Sequence, residues 1–132
     1  MQLMAIEYGG IAPLLQVYDL PIALAFYQNL LEFELLESTE DWAMLQHGDT
    51  TLMLNTAYES HERPETPDPL RQAAHADTTL YFGCPDPDAA FGQLAAKGLK
   101  LDPPKTAPYG MRQLYFFDPD GYLLCLQHPV SA

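Results

Sequence analysis

Side chains suited to nucleophilic or metal chemistry in this chain include two cysteines, four histidines and three serines. These are Cys84 and Cys125, His47, His61, His75 and His128, and Ser38, Ser60 and Ser131. None of the serines lies in G-x-S-x-G, the strained elbow that exposes a serine nucleophile. There is no G-x-G-x-x-G and no P-loop to cradle a phosphate. His61 opens "HERPE", which lacks the second histidine of an H-E-x-x-H zinc helix. Cys125 as a nucleophile needs a lowered pKa and an adjacent base. His128 follows it by three residues, so along a strand it falls on the opposite face. Two cysteines make no disulfide framework and read as buried thiols in a reducing compartment, with the cytoplasm as the default. His75 stands four residues before Thr79, an even spacing that an extended strand would put on one face, but it falls in a connecting segment. His47 and His128 read as strand-end surface residues.

Charge narrows the partners. Eighteen acids against six bases leave a formal charge of −12. Phosphate binding needs clustered Lys and Arg, so nucleic acid is excluded as a partner. Acidity serves solubility, and it also attracts a cationic small molecule. No apolar run approaches the roughly 18 residues of a membrane span, and the opening "MQLMAIEYGG" does not read as a secretory signal.

The 132 residues fit a single domain, 1–132, built from a duplicated unit. "LLQVYDLPIALAFYQNLLEF" and "LYFGCPDPDAAFGQLAAKGL" each give a short apolar run, an Asp near a Pro, and an amphipathic run. Asp19 and Asp86 are the matching helix N-caps. Ile22, Phe26, Leu30 and Phe33 recur at helical spacing in the first helix; Ala90 and Leu94 do so in the second, which Gly98 ends in the left-handed region. "GDTTLMLN" matches "DGYLLCLQ", each a turn and then a strand, so Met53 falls on Cys125 and Asn55 on Gln127. The first module spans about 8–58 and the second about 77–130. Between them, about 59–76, runs a Pro-rich, charged linker with a short helix at Leu70 to Ala74. In "DPDG", Asp118 to Gly121, Pro119 fixes φ, Asp120 tolerates the left-handed region and Gly121 permits positive φ.

"VYDLPIALAFYQNLLEF", "DPDAAFGQLAAKG" and "YGMRQLYFFDPDGYLLCL" together resemble the glyoxalase/bleomycin-resistance/dioxygenase superfamily, the vicinal oxygen chelate proteins, over nearly the whole chain. The resemblance implies an α+β fold of two βαβββ modules, whose curved mixed sheets enclose a ligand cavity, and a homodimer. One departure is Glu32, where the family usually ends its first helix with Gly. Positive φ there costs Glu about 1 kcal/mol, unless the helix ends differently.

In metal-dependent relatives, four His or Glu side chains from the first and last strand of each module hold one ion. Carried over to this chain, those positions are Ala12, Met53, Thr79 and Cys125. Alanine has no donor, and thioether plus thiol suit a soft ion rather than the hard or borderline ions of such sites. No metal and no other cofactor is expected. Met53 and Cys125 read as apolar lining.

Period two on the cavity-facing strands then selects the ligand-binding candidates. They are Gln16 on the first strand, Tyr81 beside Thr79, and Gln127 beside Cys125. Resemblance adds Tyr115, three residues before the DPDG turn, a position that binds ligand in fosfomycin-resistance relatives; Gln113 shares its face. Tyr109 in the preceding loop and Arg112, the only nearby base, complete the set. Trp42 either covers the cavity mouth or packs under the first helix. The expected function is metal-free binding of a cationic or aromatic small molecule. The alternative is a lyase, isomerase or dioxygenase with a non-standard metal site.

Overall fold

A computed structural model of the chain describes residues 5–59 and 61–130. Expectations touching Met1 to Met4, Ser60 and Ser131 lie outside the described residues. The first half runs β1 (Leu14–Val17), α1 (Leu20–Ala25), a π-helical turn (Phe26–Leu30), β2 (Glu34–Ser38), β3 (Trp42–His47) and β4 (Thr50–Thr56). A connection carrying α2 (Pro69–His75) leads to β5 (Thr79–Gly83), α3 (Pro87–Ala96), β6 (Lys105–Thr106), β7 (Met111–Phe117) and β8 (Leu123–Pro129). The two sheets have orders β1-β4-β3-β2 and β5-β8-β7-β6. Each is a parallel pair extended by antiparallel strands, and the registers repeat. Leu14 faces Met53 as Tyr81 faces Cys125, and Gln16 faces Asn55 as Gly83 faces Gln127. The fold is therefore α+β, with a duplicated βαβββ unit.

Asp19 and Asp86 cap their helices as expected, accepting from the Ile22 and Ala89 N–H groups at 3.0 Å. Gly98 follows α3 at φ 94°. The first helix departs from its expected face. Ile22 is 55% exposed, while Leu20, Ala23, Phe26 and Tyr27 are buried. The buried stripe runs through Leu20, Ala23 and Tyr27, with Ile22 beside it in the first turn; the π turn begins only at Phe26 and shifts the residues after it off the 3.6 period. Phe33 is buried beyond the helix end rather than on it. The Phe33 N–H donates to the Tyr27 carbonyl (2.9 Å), and Glu32 takes the left-handed conformation at φ 64°. Lys97 Nζ donates to the Asn29 and Leu30 carbonyls, satisfying helix-end acceptors.

The DPDG turn also differs from expectation. Glu32 is the one non-glycine at positive φ among the described residues, so Asp120 does not use the left-handed region. Gly121 does, at φ 87°. Asp118 Oδ1 instead shapes the turn by accepting from the Asp120 and Tyr122 N–H groups. Helices and sheets share one core that includes Leu15, Val17, Leu54, Leu114, Phe116 and Leu124.

Candidate functional site

Strand alternation sorts the second sheet into two faces. Leu114, Phe116 and Leu124 are buried on the side packed by helices. Gln113, Tyr115, Cys125 and Gln127 alternate with them and point to the other, helix-free side. On that side the Tyr81 and Tyr115 hydroxyls lie 3.1 Å apart, their rings edge to face at 6.2 Å. Both rings stay open to solvent, at 52% and 38% exposure. Core aromatics would not be so exposed, and β5 and β7 hold these two on either side of β8.

A second cluster adjoins the first. Gln113 Nε2 donates to Gln127 Oε1 at 3.0 Å, and the Tyr109 hydroxyl lies 3.2 Å from Gln113 Oε1. Gln113 is buried, so its amide needs these partners. A cavity of about 360 Å³ opens beside Gln113 and Tyr115, bounded by Asp102, Lys105 and Pro108. The hydrogen bond to Tyr81, followed by burial, pushes the Tyr115 hydroxyl well above the ordinary tyrosine range. Burial likewise raises the Cys125 thiol. Both therefore stay protonated near neutrality, and the cluster offers neutral donors and acceptors rather than an activated nucleophile.

The structure thus brings Tyr81, Tyr109, Gln113, Tyr115 and Gln127 together on one face. It does not bring Arg112 there. Arg112 alternates to the helix side and forms a paired contact with Asp88 of α3, at 2.7 and 3.0 Å. Gln16 sits on the other sheet, and its half-buried side chain shares a face with Asn55. Trp42 pairs with Asn55 and alternates with buried Ala43 and Leu45, so it faces the helix-free side of the first sheet. It does not pack under α1. Residue type gave no choice between these two places; the register of β3 on β4 decides it.

The four positions inherited by resemblance divide between sheets. Ala12 precedes β1 and Met53 lies on β4; Thr79 opens β5 and Cys125 lies on β8. A methyl, a thioether, a hydroxyl and a protonated thiol do not fit a hard or borderline divalent ion. Among the described residues, no group of three or more His, Cys, Asp or Glu side chains is placed to hold a metal. His75 is engaged elsewhere: its Nδ1–H donates to the Asp120 carbonyl at 2.7 Å, and its ring stacks on Tyr122 at 4.1 Å. Among the described residues, no helix is long and apolar enough to cross a membrane.

Comparison with known proteins gives a matching family model, Glyoxalase/Bleomycin resistance protein/Dioxygenase superfamily, over residues 10–126. No curated protein matches the sequence. The bleomycin resistance determinant encoded on the transposon Tn5 is similar in fold, with a TM-score of 0.73 and 22% identity, over 94% of this chain and 100% of that one. A bleomycin-binding protein complexed with bleomycin aligns with TM-score 0.72 and 22% identity, covering 93% and 100% of the two chains. TnmS3, an antibiotic binding protein from Streptomyces sp. CB03234, shares 28% identity at TM-score 0.71, covering 96% and 99%.

Proposed function

The chain belongs to the glyoxalase/bleomycin resistance protein/dioxygenase superfamily, and on that premise we propose that it sequesters a small aromatic or cationic molecule without transforming it. The observation that carries this reading is the pairing of half-exposed Tyr81 and Tyr115 over a sheet face that also presents the Gln113 and Gln127 amides, with Asp102 and Lys105 at the edge of the adjoining cavity. Aromatic faces supply area and cation–π attraction, and the amides and phenols supply orientation. The charge of −12 favours cations at long range. Two structural neighbours are described as binding bleomycin or an antibiotic, which makes bleomycin the first probe to try.

The binding unit in this reading is a cytoplasmic homodimer. Leu14, Tyr81, Tyr115 and Phe117 leave apolar surface exposed on or beside the sheets, and Ile6, Tyr8 and Ile11 expose more before β1. A second copy would cover such surface and close the cavity. No metal takes part, because the inherited positions offer Ala12, Met53, Thr79 and Cys125.

The test is calorimetric titration of the full chain with bleomycin and with ethidium, a simple aromatic cation, beside light scattering for mass. Saturable binding of either probe by a species of twice the chain mass is the expected result. Uptake of one tightly held metal per chain, with no probe bound, would overturn it in favour of an enzyme with a non-standard metal site.

A further inference from the structure

The duplicated unit makes two versions of one inter-module contact; one is sealed by a tyrosine, and the other leaves a cavity beside Phe33, whose ring packs on Phe82 at 6.4 Å. At the filled version, the turn of the second module inserts Tyr122 beside the β1–α1 junction. Its ring is buried, its oxygen accepts from the Gln16 N–H at 3.0 Å, and His75 of α2 covers it. The core around it is sealed: Leu15, Val17, Ala23 and Leu54 are at most 3% exposed.

The repeat maps each of these positions onto the other half. Tyr122 becomes Thr50, Tyr27 becomes Leu94, and Phe26 becomes Gln93, so three rings are lost, against one gained where Leu15 becomes Phe82. Leu15, Val17, Ala23 and Leu54 become Phe82, Cys84, Ala90 and Leu126, all only half-buried. Between them lies a cavity of about 250 Å³, lined by these four residues together with Thr50 and Leu94. Gln16 becomes Gly83. The Cys84 N–H donates to Gln127 on β8, so by parallel-strand alternation the Gly83 N–H turns to the free edge, as the Gln16 N–H does.

We propose that this slot is a second ligand site, distinct from the helix-free face, which takes a neutral single-ring phenol. The ring occupies the place that Tyr122 fills in the other half, and the phenol oxygen accepts from the Gly83 N–H. Size agrees, since an apolar cavity of about 150 Å³ already admits benzene. At the rim the Glu32 carboxylate is paired with the Lys97 ammonium at 3.3 Å, and it is the net charge of −12 that disfavours anionic rings. Among the described residues, no helix covers this side as α2 covers the other, so a ligand can enter.

The probe is p-cresol, the side chain of tyrosine as a free molecule, titrated into the full chain and followed by amide ¹H–¹⁵N spectra. Saturable shifts at Thr50, Gly83, Cys84 and Leu94 in the millimolar range are expected, with p-toluate giving none. Thr50→Tyr supplies the missing ring from the chain itself and should weaken p-cresol binding at least about tenfold. Ala90→Leu narrows the slot and serves where the first variant disturbs the fold. Absence of saturable shifts there, shifts confined to Tyr81 and Tyr115, or equal affinity in both filled variants would each overturn the proposal. So would concentration-dependent shifts at these amides without p-cresol, which would assign the slot to a second copy of the chain.

Discussion

The phenol oxygen of Tyr122 accepts a 3.0 Å hydrogen bond from the backbone N–H of Gln16, joining residues 106 apart in sequence. The same turn reaches the first module twice more. Asp118 Oδ2 accepts from the Tyr27 hydroxyl at 2.6 Å, and Asp120 Oδ1 accepts from the Tyr18 N–H at 2.7 Å. The turn is therefore the clasp between the modules as well as a hairpin. Tyr122→Phe should keep the stack on His75 and leave the Gln16 N–H without this partner, costing about 1 kcal/mol. Tyr27→Phe, which removes a buried bond to a carboxylate, should cost about 2 kcal/mol. Urea unfolding midpoints measure both.

The clasp has a pH dependence. Burial is the main cause that pushes the Asp120 carboxyl up to about 6, with the neighbouring Asp118 carboxylate adding to it. Burial raises Asp118 in the same direction. An acid whose folded pKa exceeds its unfolded value of about 4 favours folding in its protonated form. Stability from this group is thus full below about pH 4 and is lost as pH rises through about 6. Between pH 7.5 and 5 the protein should gain on the order of 1 kcal/mol from Asp120, discounted for partial solvation. Asp120→Asn keeps an acceptor for Tyr18 and should flatten that slope, which denaturant melts at several pH values would show.

Glu32 holds φ 64° at the end of the π turn. Glycine adopts that region freely, so Glu32→Gly should stabilise the protein by up to about 1 kcal/mol. The exposed Lys97–Glu32 contact at 3.3 Å offsets little of this. Thermal midpoints of the two proteins give the sign directly.

Gly121 combines φ 87° with a tight contact. A Cβ there would lie 2.2 Å from the Gln72 carbonyl oxygen of α2. Gly121→Ala must displace the linker helix or the turn, at a cost of more than about 2 kcal/mol. Faster protease cleavage within residues 61–76 is the expected signature.

How much of this was legible in the sequence depended on whether the signal was local or repeated. The caps at Asp19 and Asp86 and the stop at Gly98 are local chemistry. The match of Met53 to Cys125 is repetition, and it carries the whole sheet register. Ile22 shares the apolar spacing of Phe26 but sits in the exposed first turn of α1, and apolar type alone does not separate it from Ala23 one position on; Phe33 leaves the period because the π turn from Phe26 has no pattern in residue type. Arg112 reads in the sequence as the base nearest Gln113 and Tyr115, yet its partner Asp88 is 24 residues away on α3, and it is Lys105 that bounds the cavity there. His75 sat in a linker with no visible duty; its stack on Tyr122 is a tertiary contact that no spacing encodes. The slot at Gly83 becomes visible only when the two halves are laid over each other in space.

The central claim is that the helix-free face of the second sheet, around Tyr115 and Gln127, is where ligand binds. Calorimetric titration of the tighter of bleomycin and ethidium into the wild-type chain and into the Tyr115→Phe, Gln127→Leu double variant tests it most directly. Affinity weakened about tenfold or more in the variant is expected from the loss of two hydrogen-bonding groups, with cooperative unfolding kept and the midpoint lowered only by the loss of the Gln113–Gln127 bond. Equal affinity in the two proteins would contradict it.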